Sequence, residues 1–115
     1  MKIETKNNTT FEISNTFLLE DTWQFLGKRW TLQILTSLRK NRVCRFNELK
    51  KVLPGISNRV LSDRLDELVR EELIKKQVYL EIPTKVEYSL TKNAIKLDNT
   101  FDELIKWKLK SEIQP

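Results

Sequence analysis

The sequence predicts a mostly α-helical chain with a small β-hairpin, an α+β domain of the winged helix-turn-helix type carrying an extra helix at each end. Three observations predict it. Two apolar stripes of helical period, Phe46-Leu49-Leu53 and Leu61-Leu65-Leu68, are separated by Pro54-Gly55-Ile56, a three-residue turn containing glycine. From Leu73 to Leu90 the chain changes to β-branched and aromatic residues, interrupted near the middle by Pro83 and Thr84, as two strands and a tip require. Positive charge is also concentrated: Lys28 to Arg64 holds ten Lys and Arg against Glu48 and Asp63 alone, a net of +8, while the first 27 residues sum to −2 and Asn93 to Pro115 to zero. A basic field confined to one third of a chain suits a phosphate-binding surface, although solvated surface charge alone would also produce it.

The 115 residues fit one domain, expected over 15–110, with a polar N-terminal extension (1–14) and a short tail (111–115). A hydrophobic content of 39% beside 32% charged residues argues for a folded, soluble chain. No apolar run reaches the roughly 18 residues of a membrane span, and "MKIETKNNTTFEIS" has no signal-peptide core, so no membrane partner and a cytoplasmic, nucleoid-associated location are expected. One cysteine and no histidine exclude an internal disulfide framework and the usual zinc ligand sets. With no Gly-rich phosphate loop and no carboxylate pair that can be placed in a cleft, an enzyme is not expected, nor a cofactor or metal.

In chain order, Leu18, Leu19, Trp23 and Leu26 form one helical stripe, and Trp30, Ile34, Leu35 and Leu38 a second, with Gly27 marking a break between two helices. A short extended piece, Val43 to Arg45, leads into the helix of Phe46, for which Asn47 is the expected N-terminal cap. Pro54 and Gly55 end that helix. Ser57 caps the next, its hydroxyl placed to accept from unpaired first-turn amides. On a helical wheel Leu61, Leu65, Leu68, Val69 and Glu72 share one sector. Arg59, Asp63, Asp66 and Arg70 point the opposite way, with Ser62 at the margin. After the hairpin, Thr91 caps a final helix whose stripe is Ala94, Leu97, Phe101 and Leu104, widened by Ile105 and Trp107.

The helix that starts at Ser57 is the candidate reader of base edges. Arg59 can fork onto guanine O6 and N7, Asn58 can pair with adenine N6 and N7, and Ser62 is adaptable. Asp63 can accept from cytosine N4 or orient Arg59. With Arg64 they occupy the first two turns, where recognition helices meet bases. Asp66, Glu67, Glu71 and Glu72 repel phosphates, so the far end should point away from DNA. Arg42, Lys50, Lys51, Lys75, Lys76 and Lys85 are candidate phosphate contacts, with Arg29 and Lys28 as weaker ones. For any single lysine ordinary surface charge is an equal explanation. Trp23, Trp30 and Trp107 read as packing residues rather than a ligand box, with an effector pocket between terminal helices and core as the alternative. Cys44 lies between Val43 and Arg45. Nearby Arg42 and Arg45 would favour a thiolate sensor, while strand alternation favours a small buried hydrophobe beside Phe46.

The pieces "GKRWTLQIL", "RFNELKKVLPGIS", "LSDRLDELVREELI" and "PTKVEYSLT" resemble successive signatures of the HxlR-type winged-helix regulators, a branch near MarR, over about Phe17 to Trp107. The resemblance implies a homodimeric prokaryotic transcription regulator that binds double-stranded DNA and reads an inverted repeat. It implies a dimer interface built from the end helices, here Leu18, Leu19, Trp23, Leu97, Phe101, Leu104, Ile105 and Trp107. Many members carry a Cys-Pro-Val-Glu-like run at the start of the first helix. Here the run is Phe17-Leu18-Leu19-Glu20, and only the glutamate is kept, so sensing by that thiol does not carry over. Two other readings stand beside the regulator: a winged helix used for protein–protein interaction, which an acidic or apolar third helix would signal, and a nonspecific nucleoid-type DNA binder.

Overall fold

The computed structural model describes residues 2–4, 10–12 and 14–113, with side chains from 14 to 110. The elements are β1 (Lys2–Glu4), β2 (Thr10–Glu12), α1 (Asn15–Leu26), α2 (Thr31–Asn41), β3 (Val43–Cys44), α3 (Phe46–Val52), α4 (Asn58–Arg70), β4 (Ile74–Tyr79), β5 (Lys85–Leu90) and α5 (Lys92–Ile113). The fold class is the one expected, a helical domain with a small antiparallel sheet in the order β3-β5-β4. One addition lies in the extension, where β1 and β2 pair antiparallel with Ile3 opposite Phe11.

The core forms where the helical stripes converge. Ile34 and Leu38 of α2, Leu49 of α3, and Leu61, Leu65 and Leu68 of α4 are buried, closed below by Ile74 of β4 and Tyr88 of β5. Each fully buried leucine or isoleucine contributes about 1.5–3 kcal/mol relative to exposure, so these six helical side chains hold the three helices together.

Gly27 makes the α1–α2 break. A β-carbon there would lie 2.7 Å from the Trp23 carbonyl oxygen, so the close approach is reserved for glycine. Trp30, expected within the second stripe, is instead the N-cap of α2 at φ 81°, still packed on the core. The cap of α3 is also corrected: Arg45 precedes the helix, and Asn47 lies inside its first turn. Glu48 explains the shift, because its carboxylate accepts from the Arg45 backbone N–H at 2.8 Å and secures the entry.

Between α3 and α4 the chain passes through Pro54 and Gly55, with Gly55 at φ 92°, a conformation costly for any side chain. Buried Ile56 pins the turn, and Ser57 Oγ accepts from Val60 N–H at 3.1 Å, as the cap reading expects. Past α4, Glu72 takes a left-handed conformation while Leu73 and Glu72 donate back to the Leu68 and Val69 carbonyls, each at 3.0 Å. This Schellman-type end turns the chain into the hairpin. Thr91 Oγ1 accepts from Ala94 N–H and starts α5.

Candidate nucleic-acid interface

Packing dictates which face of α4 remains available. With Leu61, Leu65 and Leu68 directed into the core, Arg59, Ser62 and Asp63 are left exposed on the outer side of the first two turns. Among the described residues the side chains of these three have no hydrogen-bond or ion-pair partner. Asn58 is exposed but already engaged, its Oδ1 accepting from Lys50 Nζ. That bond joins α3 to α4 across the turn and brings a candidate phosphate contact beside a candidate base contact. Ser57 Oγ accepts the cap bond from Val60 N–H, which leaves its O–H free to donate outward.

Arg64 is not brought to this face. One turn past Val60 it lies on the inward edge of the wheel, half-buried, with Nε donating to the Arg29 carbonyl at 2.9 Å and Nη1 to Glu67 Oε1 at 3.2 Å. Arg29 itself lies 5.0 Å over the Trp30 ring, and Lys28 pairs with Glu67 at 3.2 Å. These three are committed to the α1–α2 corner, which the sequence count of basic residues could not reveal. The signal available was the Arg64/Glu67 spacing of three, which places the two side chains together on one helix edge.

The remaining cations divide by position. Arg42, Lys51, Lys75 and Lys76 are exposed. Lys85 is half-buried, 3.7 Å from Glu87 and 4.9 Å over the Tyr79 ring, so part of its charge is already answered within the wing. Glu87 also holds the Tyr79 hydroxyl by a hydrogen bond, which keeps that phenol protonated above its ordinary range. At the wing tip Leu80 and Ile82 stand essentially fully exposed, at 96% and 102%. Leu80 falls in the stretch expected as strand, but β4 ends at Tyr79.

The expected dimer residues fall into two groups. Leu97 and Phe101 pack against this chain's own core, and Leu18 is half-buried. Leu19, Trp23, Leu104, Ile105 and Trp107 are exposed by about half or more, together with Phe17 and Leu109, which the expectation did not include. Arg39 ties α2 to α5 through Asp98 and Asp102, each at 3.5 Å. Beside it, Leu32, Leu35, Phe101, Leu104 and Ile105 line an open groove of about 290 Å³.

Cys44 takes the buried position that strand alternation favours. It is 4% exposed, pairs in the sheet with Tyr88, and its thiol is pushed up by burial and then by the Glu48 carboxylate, against a smaller lowering from an Asn41 hydrogen bond. The arginines thought to favour its thiolate do not decide its state. Burial makes it a core residue. Among the described residues, no helix is long and apolar enough to cross a membrane.

Comparison with known proteins agrees with this arrangement. A family model described as HxlR-like helix-turn-helix matches residues 25–114. The chain is 37% identical to the HTH-type transcriptional regulator YodB of Bacillus subtilis strain 168 over 89 residues, 77% of this chain and 79% of that protein. The reduced form of YodB superposes with a TM-score of 0.73 at 33% identity, over 86% of this chain and 94% of YodB. A MarR-family transcriptional regulator from Enterococcus faecalis V583 gives a TM-score of 0.81 at 26% identity, over 90% and 94%.

Proposed function

The chain belongs to the HxlR-like helix-turn-helix family, which makes it a DNA-binding transcriptional regulator and not an enzyme, and from that premise we propose that it acts as a homodimer reading an inverted repeat through α4. The observation that carries the reading is the division of exposed surface: polar on the first turns of α4, where Arg59, Ser62 and Asp63 are unpartnered, and apolar on α1 and the outer half of α5. Arg59 is the principal base contact, aided by Ser62 and Asp63, while Lys50, Lys51 and Arg42 follow the phosphates. One of Lys75 and Lys76 extends that track along the wing, since alternation along β4 sends them to opposite sides of the strand. Asn58 contributes through Lys50, to which it is bonded.

Two-fold symmetry then requires half-sites about one helical turn apart, roughly 10 bp. Phe17, Leu19, Trp23, Leu104, Ile105 and Trp107 make the contact between copies, since so many exposed large side chains are unusual for a chain that acts alone. Its place of action is the nucleoid in the cytoplasm.

Fluorescence anisotropy of the pure protein on its own upstream DNA and on a scrambled duplex, at near-physiological salt, tests the reading. A preference of about a thousandfold or more is expected. Equal, strongly salt-dependent binding to both would replace it with a nonspecific nucleoid binder, and no binding to either with a protein-interaction module.

A further inference from the structure

We infer that Arg64 is a positioning residue, one that fixes the angle between the DNA-reading helix and the helix proposed to dimerise, and so sets which half-site separation the protein accepts. The inference rests on the dimeric reading above. Its basis is a two-point attachment between α4 and the α1–α2 corner. Arg64 Nε donates to the Arg29 carbonyl at 2.9 Å, and its Nη1 reaches Glu67 Oε1 at 3.2 Å. The same oxygen takes Lys28 Nζ at 3.2 Å. One guanidinium therefore holds both the corner's backbone and the carboxylate that holds the corner's lysine. Side-chain exposures of 20% for Arg64 and 16% for Glu67 remove much of the solvent screening that weakens ordinary surface pairs. Glu67 Oε2 is shielded and has no hydrogen-bond partner among the described residues, so the carboxylate depends on these two cations.

The corner matters because α1 has little else to fix its direction. Leu26 is its one buried residue and Phe25 beside it packs partly buried against the core, both in its last turn, while the earlier turns stand outside the core. A helix of 12 residues is about 18 Å long, so a swing of about 10° at the corner displaces its far end by about 3 Å. That is about the rise of one base pair. In a two-fold dimer the displacement applies to both copies. Arginine is suited to the role: its planar fork reaches a carbonyl and a carboxylate together, which a lysine ammonium at the same position cannot do in one geometry.

The test uses the full-length protein and a half-site selected by the wild type from a random duplex pool. The half-site is placed singly and as inverted repeats whose separation is varied one base pair at a time. Affinities are read by anisotropy for the wild type, Arg64→Lys and Glu67→Gln. The second variant keeps its side chain's shape, so the answer does not depend on how one variant folds. The wild type should favour one separation. Both variants should lose that preference about tenfold while binding the single half-site within about threefold of wild type. An unchanged separation profile would overturn the inference, as would a loss equal for the single half-site and every repeat, which marks a local role only. A wild type indifferent to separation would instead remove the dimeric reading, and this inference with it.

Discussion

Helices α1 and α4 are of nearly equal length, 12 and 13 residues, yet they are used in opposite ways. In α4 the apolar stripe is consumed inside the chain, and what faces out is Arg59, Ser62 and Asp63. In α1 the apolar residues are consumed only in part: Leu26 is buried and Leu18 and Phe25 half-buried, while Phe17, Leu19 and Trp23 remain 58%, 67% and 58% exposed. The difference teaches that α4 is complete as a folded element and open only to a polar ligand. By contrast, α1 leaves apolar area whose burial requires another surface. Between them lies the Arg64–Glu67–Lys28 attachment, which belongs to both.

The largest expected effect breaks the comparison from the α4 side. Leu65→Ala should lower stability by about 2–5 kcal/mol, because a buried leucine leaves a cavity as well as lost transfer energy. Thermal or urea unfolding measures it, and a change under 1 kcal/mol would mean that α4 is not anchored as described. The same truncation in α1, Trp23→Ala, should leave monomer stability nearly unchanged and weaken self-association by about 2 kcal/mol or more, the scale of an aromatic interface anchor. Sedimentation over a concentration series reads this. A destabilised monomer with intact self-association would reverse the assignment of α1.

The outward face of α4 is sharpened by Arg59→Ala, expected to cost about 1–3 kcal/mol at the selected site and to relax one base position without altering the fold. Equal loss on all sequences would demote Arg59 to a phosphate contact. Lys51→Ala should reduce the slope of log affinity against log salt by about 1 for each copy in the complex. An unchanged slope would move the phosphate track elsewhere.

The smallest expected effect concerns the sheet beneath α4. Burial raises the Cys44 thiol, with the Glu48 carboxylate adding to it, and burial raises the Tyr88 phenol, with the Asp66 carboxylate adding to it. Both groups hold their protons more tightly folded than unfolded, so the stability they lend is present below their ordinary values and lost as pH rises through the folded ones. The unfolding midpoint should fall from about pH 9 upward, starting with the thiol. In Cys44→Ala that first part of the fall should disappear, and a wild-type midpoint constant into the alkaline range would contradict the burial described.

Much of this was legible in the sequence where the pattern is periodic and physically constrained. The stripes of Leu61-Leu65-Leu68 and Phe46-Leu49-Leu53 could be buried in one way only, and Ser57 after Pro54-Gly55 is a cap by chemistry. What was not legible depends on neighbours distant in sequence or on choices between local equals. Asn47 is the better cap by preference, yet Glu48 supplies the bond that makes Arg45 the boundary. The three-residue strands of the extension are too short for alternation to emerge from polar surroundings. Arg64 counted as one more cation toward a basic field. Only the fold reveals that an arginine one turn from Val60 meets the Arg29 carbonyl, 35 positions earlier in the chain.

The measurement that tests the central claim most directly is a hydroxyl-radical footprint of the wild-type protein on its selected duplex. Two protected tracts related by two-fold symmetry, with centres about one helical turn apart, are predicted. A single protected tract, or uniform protection without symmetry, would contradict a dimer that presents two copies of α4 to an inverted repeat.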